Sequence, residues 1–91
     1  MNDRQVRVER KRLIRREFVL LIRRGRVLVQ LGGTIRGRSG WMTRSVCETD
    51  VEASMDFQTM LDEYTDDGYS QVPWDDEAAP DVPDEIFDPA S

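Results

Sequence analysis

Two runs of aliphatic and β-branched residues, at 18–22 and 27–31, are separated by Arg23, Arg24, Gly25 and Arg26, and this spacing constrains the fold more than any other feature of the chain. Short β-prone runs flanking a glycine-bearing turn form an antiparallel hairpin, because glycine enters the positive-φ conformations of tight turns without steric cost. With Arg24 and Gly25 as a two-residue loop, Ile22 faces Val27, Leu20 faces Val29 and Phe18 faces Leu31, all on one apolar face. The opposite face pairs Leu21 with Leu28 and Val19 with Gln30. It is half apolar and calls for a cover, either a helix or another subunit.

Gly32 and Gly33 end the second strand, and Arg38, Ser39 and Gly40 read as a turn before a further strand at 41–47. Thr49 and Glu52 then have the spacing of a capping box, in which hydroxyl and carboxylate each satisfy a backbone donor at a helix start. Ala53, Phe57, Met60, Leu61 and Tyr64 follow at one-face helical spacing, and Asp67 with Gly68 supplies a stop. The helix spans about 50–66 and packs on the sheet.

Residues 3–16 set Val6, Leu13 and Ile14 among many charges, a stripe compatible with a helix and also with a β-arm beginning at Val6; the reading here is a helix. From Gly68 onward the chain holds all four prolines, many acids and scattered apolar residues, the composition of a disordered tail. Trp74, Ile86 and Phe87 stand out within it as apolar anchors for a protein partner, joined by the outward acids Asp62 and Asp66 of the helix. For Trp74 the plainer alternative is that it folds back on the half-apolar sheet face. The expected class is α+β: a small antiparallel sheet on the hairpin 17–31, one packed amphipathic helix, an N-terminal helix and an acidic tail. The units are a basic arm at 1–16, an α+β domain at 17–67 and a flexible tail at 68–91.

Charge is divided along the chain. All 13 basic residues lie between Arg4 and Arg44, with Glu9 and Glu17 among them and Asp3 just before, whereas the other 15 of the 18 acids follow Cys47. Segregation of this kind points to an anionic partner for one half and a cationic one for the other. At the hairpin tip Arg23, Arg24 and Arg26, with Arg36 and Arg38 beyond the second strand and Arg15 and Arg16 before the first, are the candidates for contact with nucleic acid or another anionic surface. Aromatic residues do not interleave with these cations, which disfavours recognition by base stacking.

Other chemistry is poorly supported. Gly32, Gly37, Arg38 and Ser39 have P-loop spacing with arginine in place of lysine, but β-type residues follow where a helix must start. Glu63, Thr65 and Asp67 resemble part of a calcium loop whose twelfth position is Trp74 instead of a bidentate glutamate. The chain has no histidine and one cysteine, so neither an N/S zinc site nor a histidine-activated nucleophile is expected. Carboxylates spaced i,i+4, Asp62 with Asp66 and Glu63 with Asp67, read as a solvated helix face. No enzyme activity, metal or cofactor is expected.

A lone thiol fits a reducing compartment, hence a cytoplasmic location. No run approaches the ~20 apolar residues of a membrane span, and the apolar run after Arg15 and Arg16 is too short for an export signal. A chain of 91 residues buries only about 60% of its unfolded surface, so a partner or a homodimer would support it. The expected function is that of a regulatory adaptor: basic half on nucleic acid or an acidic surface, acidic tail on a protein. Its rivals are a phage-type inhibitor that blocks a nucleic-acid enzyme by acidic mimicry, and a virion or complex assembly component.

Overall fold

The computed structural model describes residues 3–35, 40–77 and 82–90. Strands β1 (Asp3–Arg12), β2 (Arg15–Arg24), β3 (Val27–Thr34) and β4 (Gly40–Val46) form an antiparallel meander. Helix α1 (Asp50–Asp66) crosses one face, and β5 (Ser70–Val72) returns to pair with β1. The sheet order is β4-β3-β2-β1-β5, so the chain is a small α+β fold.

The central hairpin forms two residues out of the expected register. Ile22 pairs with Val29 and Leu20 with Leu31, and the turn is Gly25 and Arg26. The tight two-residue hairpin turns need positive φ at their first central position. Centring the turn one residue later puts Gly25 there, at φ 60°, where the expected loop would have placed Arg24. An even offset leaves every side chain on its expected face.

On the helix face, Val6, Val8, Val19, Leu21 and Leu28 pack against Ala53, Phe57 and Leu61, with Cys47 and Tyr69 completing the cluster. Burying a side chain such as Phe57, 1% exposed, contributes about 1.5–3 kcal/mol. Thr49 caps the helix, its hydroxyl accepting from the Glu52 amide at 3.1 Å. At the other end Gly68, at φ 97°, donates to Thr65 O and Tyr69 donates to Tyr64 O, a Schellman closure. The Tyr64 and Tyr69 rings meet edge to face at 5.2 Å across it.

Two expectations are corrected. The N-terminal segment is strand β1, not a helix: Val6 and Val8 alternate onto the helix-covered face, and all ten residues pair with β2. The acidic tail, where described, is placed on the sheet and is not free. Phe87, in a 3-10 helix at Asp84–Phe87, packs with Ile22, Val27 and Val29, flanked by Trp74, Val82 and Ile86. The uniformly apolar sheet face is a ready surface for these few anchors. Trp74 does fold back, but onto this face and not the half-apolar one, which α1 occupies.

Candidate functional site

The arginines singled out by sequence fall into separate groups at opposite ends of β2. Those of the β2–β3 turn bind the protein itself. Arg23 is 9% exposed; its Nε donates to Gly25 O at 3.0 Å and its Nη2 to Asp50 O at 2.9 Å, tying the turn to the start of α1. Arg24 donates to Asp84 Oδ1 at 3.1 Å and stacks over the Phe87 ring at 4.3 Å. Arg26 donates to Cys47 O at 3.2 Å and Glu48 O at 3.3 Å. Basic tip and acidic tail are thus partly matched to each other, and Arg44 extends the match by donating to Ile86 O and Asp88 O.

The β1–β2 turn is different. Leu13 and Ile14 form it and are 93% and 99% exposed. Leu13 has φ 53°, a left-handed conformation that costs a non-glycine residue about 1–2 kcal/mol. Behind the turn, Arg12 lies opposite Arg15 and Lys11 opposite Arg16. Like charges directly opposed across a ladder are destabilising. Glu9 lies 3.7 Å from Arg16; Lys11, Arg12 and Arg15 make no hydrogen bond or ion pair among the described residues. Among the described residues the ribbon also stands clear of its flanks. β5 reaches only Arg7 to Glu9 of β1, and β3 pairs β2 no further than Glu17, followed by one bond from Ile35 N to Arg16 O. The result is a short two-stranded arm with an aliphatic apex and cations on both faces.

Arg15 and Arg16 belong to this arm; Arg36 and Arg38 lie outside the described residues. Trp74, Ile86 and Phe87 are in the tail-side core. Asp62 is exposed and accepts from Gln58 Nε2 at 2.9 Å. Asp66 borders an open groove of about 530 Å³ between α1 and β3, with Gln30, Met60, Glu63, Tyr64 and Asp67. The Tyr64 hydroxyl donates to Gln30 across it at 2.6 Å. Acids at a helix C-terminus oppose its dipole. Here Arg10 offsets them, donating to Asp67 O at 2.8 Å and Oδ2 at 3.0 Å, and to Glu17 at 3.0 Å.

Among the described residues, Cys47, Glu52 and Asp56 form a set of candidate metal-binding groups, their ligand atoms within 4.8 Å of one another. Burial raises the Cys47 thiol pKa, helped by its hydrogen bond to Asp56 at 3.4 Å and by the charges of Asp56 and Glu52. The thiol therefore holds its proton at neutral pH, whereas a metal binds the thiolate.

Sequence reasoning named Arg15 and Arg16 as candidates but placed Leu13 and Ile14 in a helical apolar stripe. The available signal was two adjacent aliphatics enclosed by two cations on each side. No described helix is long and apolar enough to cross a membrane. No protein-family model matches the chain, and neither a curated protein nor a solved structure matches it.

Proposed function

We propose that this is a non-enzymatic binding protein that contacts a nucleic acid through the arm at residues 11–16. The observation that carries the reading is the combination at that arm: a strained, fully exposed Leu13 and Ile14 apex backed by Lys11, Arg12, Arg15 and Arg16 in opposed like-charge pairs. Folds retain local conflicts of this kind where a function uses them. A phosphate backbone relieves the repulsion by entering between the cations and releasing counterions. The acidic tail is tied to Arg24 and Arg44, and Arg10, Arg23 and Arg26 bond elsewhere within the protein, whereas Lys11, Arg12 and Arg15 of the arm make no hydrogen bond or ion pair among the described residues. This favours a tail that turns toward its own molecule over one that recruits an external protein.

The test is binding to double- and single-stranded DNA and RNA over a salt series. The parent is expected to bind at low salt. Replacing Lys11, Arg12, Arg15 and Arg16 together by alanine is expected to abolish binding, and single replacements to lower the log–log salt slope by about one each. Arg26→Ala is expected to bind as the parent does. Undiminished binding by the quadruple variant, or no binding by the parent at low salt, overturns the reading.

A further inference from the structure

We propose that the outer edge of β4 is a self-association surface, on which a second copy of this chain pairs its own β4 antiparallel to form one continuous sheet. The two sheet edges differ. β5 is three residues long and is followed by Pro73, a short edge that offers little to pair with. β4 runs seven residues, exposed throughout, with no proline and with Arg44 as its one charge. Trp41, Met42 and Val46 remain 44%, 50% and 40% exposed along it.

Backbone parity fixes what can pair. The Cys47 amide donates to Arg26 O at 2.9 Å. Counting back by twos, Ser45, Thr43 and Trp41 turn their amide groups to β3, and Val46, Arg44, Met42 and Gly40 turn theirs outward. None of those outward groups has a hydrogen-bond partner among the described residues. A two-fold axis through Thr43 sets Met42 opposite the second copy's Arg44 and Gly40 opposite its Val46. Every outward amide then meets an outward amide, over the full strand.

Charge selects the same arrangement. An axis at Arg44 would oppose two arginines, whereas the Thr43 axis opposes no like charges and pairs two threonines, a favourable cross-strand contact. Val46 meets a glycine, so the pairing is not crowded. An edge with one charge in seven carries no signature for an oppositely charged peptide, but it is complementary to itself in length, parity and charge. The contact is small beside the ~1,200 Å² of stable specific interfaces, so monomer and dimer are expected to exchange at micromolar to sub-millimolar concentrations.

Sedimentation velocity over a concentration series tests this with the full chain. The parent is expected to approach twice the monomer mass. Met42→Pro removes an outward donor without touching the β3 ladder, and is expected to stay monomeric with the parent's circular dichroism. Independently, Thr43→Cys is expected to form an intermolecular disulfide under mild oxidation, because residues facing each other across the axis approach closely, and Ser45→Cys is not. A parent that is monomeric throughout, a Met42→Pro variant that dimerises as the parent does, or equal cross-linking of Thr43→Cys and Ser45→Cys overturns the proposal.

Discussion

The turns at the two ends of β2 share a backbone plan, two residues with positive φ at the first, but differ in how they treat their arginines. At the β2–β3 turn the positive φ falls on Gly25, and Arg23, Arg24 and Arg26 reach back to the helix start, the tail and the β4–α1 connection. At the β1–β2 turn it falls on Leu13, and Lys11, Arg12 and Arg15 make no hydrogen bond or ion pair among the described residues. Equal cation density therefore has opposite meanings. A cation whose donors meet carbonyl oxygens stabilises the fold, and one held against its like is available to an outside anion.

The largest expected effect that would break this contrast is on stability at Arg23. Arg23→Ala leaves the Gly25 and Asp50 carbonyls without a charged donor and is expected to cost about 2–3 kcal/mol in urea unfolding. Arg15→Ala, on an exposed side chain, is expected to change stability by less than about 0.5 kcal/mol. Similar losses at both would mean that the arm is as much a structural tie as the other turn.

A pair of turn substitutions sharpens the contrast at intermediate size. Gly25→Leu is expected to destabilise by about 1–2 kcal/mol, since its φ of 60° disfavours any Cβ although nothing lies within 4 Å of one. Leu13→Gly is expected to stabilise by a few tenths to about 1 kcal/mol, relief of strain being offset by the entropy of glycine. If polyanion binding weakens while stability rises, the strain at Leu13 serves the contact and not the fold.

The smallest expected effect is alkaline. Burial raises the pKa of Cys47, near the β2–β3 turn, and of Tyr69, beside Arg10. In both the folded state holds its proton more tightly than the unfolded chain. The associated stability is complete below the ordinary values of 9.0 and 10.0 and is lost as pH rises through the raised ones. The urea midpoint is expected to fall from about pH 9 upward, and Cys47→Ala to remove the earlier part of the decline.

The sequence made the hairpin, the strand at β4, the cap at Thr49, the buried helix face and the stop at Gly68 legible, because each depends on local chemistry or on a period of 2 or 3.6 residues. The hairpin's faces were legible too, although its loop was misplaced, since parity survives a two-residue offset. The N-terminal strand was hidden by its own turn. Leu13 and Ile14 supplied the apparent helical stripe with Val6, and as exposed turn residues they carry no information about a buried face. The tail was misread because composition measures what a segment can bury alone. Trp74, Ile86 and Phe87 have too little apolar area to order an isolated chain, but enough to cover Ile22, Val27 and Val29 once β2 and β3 present them.

That cover has a consequence for synthesis. The face bearing Ile22, Val27 and Val29 is complete as soon as β3 leaves the ribosome, whereas Phe87 follows some fifty residues later, several seconds at ~5–20 residues per second. β1 likewise waits for β5, Arg7 for Val72. A nascent chain stalled before residue 82 therefore displays a bare aliphatic surface, and chaperone retention of such a truncated chain, released when residues 82–90 are restored, would register the interval.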